Sequence, residues 1–203
     1  MKKYNYENII DNLYNGVDII DFYKDEKIVK YDKVLFNNSC LSNEEINLLC
    51  VLGFPKTVGP GLSFSNSEVS LFSRYKVSKN INIIKDNICL GEDSWGDYLC
   101  LNIKNNEIKL FSHELEIYKE NFYIKVNNSV KQFFESILRF KLYVKEIKEN
   151  VDINLILEDK IPINFIKSLR DDLRDIDYDI FKEKNSFWNI QIDMIENSLC
   201  SKK

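Results

Sequence analysis

Tyr98-Leu99-Cys100-Leu101-Asn102-Ile103, then Lys104-Asn105-Asn106, then Glu107-Ile108-Lys109-Leu110-Phe111: this stretch decides the fold. Two apolar-rich runs flank a polar turn whose asparagines tolerate positive φ, which predicts a β-hairpin. Downstream, Phe122-Tyr123-Ile124-Lys125-Val126 reads as a further strand. Asn127-Asn128-Ser129 then supplies a side-chain cap for a long helix, because a serine oxygen can accept from amides that lack a partner in the first turn. Val130, Phe133, Phe134, Ile137, Leu138, Phe140, Leu142, Tyr143 and Ile147 give that helix a broad apolar face, so it should lie across the sheet.

Working upstream, the pattern stays β back to residue 57. Ile88-Cys89-Leu90-Gly91, Ile81-Asn82-Ile83-Ile84, Val69-Ser70-Leu71-Phe72 and Leu62-Ser63-Phe64 are strand candidates, and Gly59-Pro60-Gly61 makes a turn. Before them, Ser42-Asn43-Glu44-Glu45 has the form of a capping box. Ile46, Leu49, Cys50 and Leu52 follow as an apolar face, and Gly53 and Pro55 end it, so a helix is expected over 42–52. The fold class that results is α+β: an antiparallel sheet of about five or six strands in meander order with helices packed on it.

Residues 1–35 read as a helical extension of one or two short helices, with Ile9, Ile10, Leu13 and Val17 and then Ile19, Ile20 and Tyr23 at helical spacing. Residues 36–150 form the expected core. Residues 151–203 form a C-terminal helical part of the same single domain. There Val151–Leu157 fits either a strand or a helix, Pro162 suits a first helical turn, and Phe165, Ile166, Leu169, Leu173 and Ile176 continue it. Ser186 is the expected cap of a last helix carrying Phe187, Trp188, Ile190, Ile195 and Leu199.

Composition narrows the function classes. The 203 residues contain no alanine and are rich in Ile, Asn and Lys, so a single Lys or Asn carries little information. The formal charge is -4 and the pI about 5.2, without the basic stripe of a nucleic-acid binder. No apolar run reaches the roughly 20 residues of a membrane span, and the N-terminus lacks the apolar core of a secretion signal, so cytoplasmic residence is expected. The five cysteines (Cys40, Cys50, Cys89, Cys100 and Cys200) show no C-x-x-C pair and sit largely in apolar patterns, as reduced buried thiols do. No cysteine neighbours His113 in sequence, so neither a zinc site nor any other cofactor is expected.

Three segments could carry chemistry or contact. A hairpin contact between Cys100 and His113 would make a thiol–imidazole pair, but Cys100 lies within a strand that must bury one face and no third group orients the imidazole. The simpler reading makes His113 a surface or turn residue. Gly91-Glu92-Asp93-Ser94-Trp95-Gly96-Asp97 combines carboxylates and glycines without the spacing of a calcium loop, and reads as a turn with Trp95 partly buried. Asp171-Asp172-Leu173-Arg174-Asp175-Ile176-Asp177-Tyr178-Asp179 places Leu173 and Ile176 inward and its five aspartates toward water. That is either a solvated face or an acidic patch that steers a basic partner.

These blocks also resemble a known family. Leu52-Gly53-Phe54-Pro55, the run from Ile88-Cys89-Leu90-Gly91 through Trp95-Gly96-Asp97-Tyr98-Leu99-Cys100-Leu101, and the Phe122–Val130 step into Phe133-Phe134 are similar in order and spacing to the SUKH superfamily (Smi1/Knr4-like). Leu173-Arg174-Asp175-Ile176-Asp177 and Ser186-Phe187-Trp188 resemble the ending of its SUKH-4 immunity group. The resemblance covers about 40–200 and implies an α+β fold without catalytic residues. It further implies an immunity protein that neutralises a cognate bacterial toxin, such as a basic nuclease or deaminase, by protein–protein contact. The alternative is a Smi1/Knr4-like regulatory module binding a cellular protein; a small Cys–His hydrolase ranks below both. Candidate contact residues are Asp171, Asp172, Asp175, Asp177, Asp179, Glu92, Asp93 and Trp95.

Overall fold

The computed structural model describes residues 27–66, 86–112, 123–158 and 160–200, with side chains described as far as residue 197. Of the helical extension expected over 1–35, the part before residue 27 lies outside the described residues, as do the strands expected at 69–72 and 81–84 and His113. Over 27–35 the extension is corrected to a strand and the start of a 3₁₀ turn, because Val29 and Tyr31 are buried in the core. A short strand β1 (Ile28–Val29) and a 3₁₀ turn (Lys33–Phe36) lead to helix α1 (Asn43–Asn47). Both halves of the capping box form: Glu45 N donates to Ser42 Oγ at 3.2 Å and Ser42 N donates to Glu45 Oε2 at 3.0 Å. The predicted helix over 42–52 is continuous, but its second half, Leu48–Leu52, is a π turn. It closes through Gly53 N to Leu48 O at 2.8 Å, five residues back. Gly53 has φ 81 and ψ -176 instead of the left-handed helical cap its position suggests. A Cβ there would lie 2.4 Å from Val29 O, so the glycine is needed for the backbone to turn out against β1.

The six-stranded sheet is antiparallel in meander order: β3 (Thr57–Val58), β4 (Leu62–Phe64), β5 (Asn87–Asp93), β6 (Tyr98–Asn102), β7 (Ile108–Phe111) and β8 (Tyr123–Asn127). β2 (Phe54–Pro55) pairs with β1 as a separate two-stranded ribbon. The deciding hairpin forms as read, with Leu101 opposite Ile108 and Leu99 opposite Leu110, and with Asn106 at φ 64 in the turn. Asn106 also ties three elements together. Its Nδ2 donates to Glu45 Oε1 of α1, and its Oδ1 accepts from Val130 N at 3.1 Å, at the start of α2 (Val130–Asn150). Ser129 Oγ accepts from Gln132 N at 3.1 Å and completes the α2 cap.

Helix α2 lies between two layers. Phe133 packs on Phe54 and Phe64, whose rings stack at 4.6 Å. Further along, Phe140 meets Trp188 at 6.2 Å. The stretch open to either strand or helix is the short helix α3 (Ile153–Leu157). Helix α4 (Ile163–Ile176) starts after Pro162, and α5 (Tyr178–Lys182) and α6 (Phe187–Cys200) follow. Ile166, Leu169, Leu173, Ile180, Phe187, Trp188 and Ile192 join the same apolar core as the sheet and α2, so the C-terminal part is a structural layer of the domain. Ser186 is buried, and its hydroxyl has no hydrogen-bond partner, so it does not supply the expected side-chain cap.

Candidate protein-contact surface

The turn between β5 and β6 is built from its acidic residues. Asp93 Oδ1 accepts from Trp95 N and from Asp97 N, both at 2.9 Å. Asp93 N donates to Asp97 O at 2.9 Å, and Gly96 N donates to Asp93 O at 3.1 Å. Gly96 stands at φ 86, which a side chain would resist. Pairing of Leu62 with Asp93 and Ser63 with Glu92 holds the base of the turn from β4. The β3–β4 turn also reaches it, since a Cβ on Gly61 would meet Ser94 Oγ at 2.9 Å.

This closed loop leaves Trp95 72% exposed, a correction to the expectation that the indole is partly buried. The sequence residues therefore take separate roles. Trp95 is presented to solvent, Asp93 spends one carboxylate oxygen on the turn, and Glu92 is half-buried in β5.

The acidic run at 171–179 is not the bare patch that its spacing suggests. Asp171 pairs with Arg174 at 2.5 Å, Asp172 with Arg139 at 2.5 Å, and Asp179 with Lys182 at 2.7 Å. Arg139 also binds Glu146 at 2.9 Å. Burial disfavours its charge, but these two carboxylates outweigh that and hold the guanidinium more firmly protonated. Asp175 is exposed.

Asp177 is a second correction. It is 1% exposed, not turned to water. Helix α4 ends at Ile176, and Asp177 has φ -144 and ψ 78, so helical spacing does not govern where its side chain goes. Its carboxylate accepts from Asn127 Nδ2 at 3.1 Å, Asn128 N at 2.9 Å and Asn128 Nδ2 at 2.6 Å. Asn127 Oδ1 in turn accepts from Trp188 Nε1 at 2.9 Å. Asp177 thus joins the sheet end to the C-terminal helices and is removed from the set of direct contact residues.

Cys100 is fully buried in β6, and burial, followed by a hydrogen bond to the Cys89 thiol, pushes its own thiol well up. That is the opposite of the low-pKa thiolate with which a catalytic cysteine attacks a substrate. Among the described residues, no group of three or more His, Cys, Asp or Glu side chains is placed to hold a metal ion. Among the same residues, no helix is long and apolar enough to cross a membrane. No family model, curated protein or solved structure matches the chain.

Proposed function

We propose that this chain is a protein-binding module of the immunity type, which neutralises a cognate toxin by covering it and uses Trp95 on the β5–β6 turn as its anchor. One observation carries the reading: a tryptophan 72% exposed at the tip of a loop that four hydrogen bonds already close. Tryptophan is enriched among residues that dominate binding energy. A loop ordered before association avoids much of the entropy that ordering would cost. Glu92, Asp93 and Asp97 flank Trp95 in sequence and suit a partner surface with basic groups at its rim. The order of sequence blocks that resembles SUKH-4 immunity proteins supports the same reading. The acidic run contributes less than its composition suggests, because three of its five aspartates face a cation of their own chain and a fourth is buried.

The test is co-expression with the product of the adjacent gene. Wild-type protein should restore growth, and Trp95→Ala should not. The triple variant Asp171→Asn, Asp175→Asn and Asp179→Asn should still protect. Loss of protection in the triple variant alone would move the contact to the C-terminal helices.

A further inference from the structure

Cys89 and Cys100 face each other across β5 and β6 as register partners. In this ladder Ile103 N donates to Asp86 O at 2.8 Å, which makes that pair hydrogen-bonded. Hydrogen-bonded and non-hydrogen-bonded pairs alternate along an antiparallel ladder. Counting from residues 86 and 103, Ile88 with Leu101 is hydrogen-bonded and Cys89 with Cys100 is not. Non-hydrogen-bonded pairs bring Cα atoms to about 4.5 Å with side chains on one face. That separation lies inside the span of about 4.4–6.8 Å that a disulfide bridges. Neither sulfur is in a disulfide, and Cys89 Sγ donates to Gly91 O at 3.3 Å. Their accessibility differs: Cys89 is half-buried and Cys100 fully buried. The bulge between Cys89 and Gly91 interrupts the ladder immediately beside the pair.

We propose that Cys89 and Cys100 are a redox pair that a peroxide closes into a cross-strand disulfide, with Cys89 as the sulfur oxidised first and Cys100 as the resolving thiol. The Cys89 sulfur, deprotonated on attack, takes one peroxide oxygen as the O–O bond breaks. The products are a sulfenic acid on Cys89 and, with the thiol proton, one water. Cys100 sulfur then attacks Cys89 sulfur, the S–S bond forms, and the hydroxyl leaves with the Cys100 proton as a second water. Two thiols are oxidised by two electrons and one peroxide is reduced to two waters. The bond would pin together the two strands that carry the turn presenting Trp95.

The test uses the full chain treated with hydrogen peroxide, digested under non-reducing conditions and read by mass spectrometry. A peptide joining Cys89 to Cys100 should appear and vanish on reduction, while Cys40 and Cys50 stay unlinked to either. With Cys100→Ala, a dimedone adduct should accumulate on Cys89 to at least several times the wild-type level. With Cys89→Ser, which alters only a half-buried position, Cys100 should remain unmodified under the same dose. Oxidation of Cys89 to sulfinic acid in the wild type without a Cys89–Cys100 link would overturn the proposal. Equal dimedone labelling in wild type and Cys100→Ala would overturn it as well.

Discussion

At the scale of single residues, Gly91 and Asp177 carry the largest consequences. A Cβ on Gly91 would sit 2.0 Å from Ser63 O and 2.9 Å from Phe64 Cα, both backbone atoms of the paired strand. No rotamer change relieves that contact, so Gly91→Ala must spread β4 from β5. It should cost about 3 kcal/mol or more in urea unfolding, in the range of mutations that disturb a packed core. Asp177→Ala leaves three donors around Asn127 and Asn128 without their acceptor. Its loss should also be about 3 kcal/mol, because three hydrogen bonds to one buried carboxyl group are lost together. Trp95→Ala, by contrast, should leave the unfolding midpoint unchanged within about 0.5 kcal/mol, as for surface substitutions. The sequence shows a glycine at 91 but not the backbone it approaches. It shows an aspartate at 177 but not that the helix stops one residue earlier.

At the scale of elements, the edge of the sheet depends on an ion cluster. Glu107 binds Lys109 at 2.8 Å and Lys125 at 3.0 Å, linking the β6–β7 turn to β7 and β8. Burial raises the Glu107 pKa, but hydrogen bonds and charge from the two lysines outweigh it, and the carboxyl titrates below its ordinary range. A depressed folded pKa gives stability that is complete above the unfolded value, near 4.5, and is lost as pH falls through the folded one. Glu135 acts with the opposite sign, since burial raises its pKa above the usual range. Comparing wild type with Glu107→Gln isolates the first effect. The variant should show a smaller fall in thermal midpoint on acidification below pH about 4.5, measured by circular dichroism. The hairpin, the capping box and the α2 cap were legible in sequence because each is settled within a few neighbouring residues. The packing of Trp188 on Phe140 and its bond to Asn127, 61 residues away, were not, because only the closed chain brings them together.

At the scale of the whole molecule, one core joins the sheet, α2 and the C-terminal helices, while a single closed turn presents an indole to solvent. The α+β class and meander order follow from the alternation of strand patterns and from the helices that flank them. Where the molecule meets another does not follow from pattern. An aspartate run looks like a contact surface until the arginines and lysine that neutralise it are placed beside it. Calorimetric titration of the adjacent gene's product into wild-type and Trp95→Ala protein tests the contact claim most directly. Trp95→Ala should bind at least about thirtyfold more weakly, the loss of roughly 2 kcal/mol expected of a dominant anchor, with its fold intact. Equal affinity in the two proteins, or no binding by the wild type, would contradict the account.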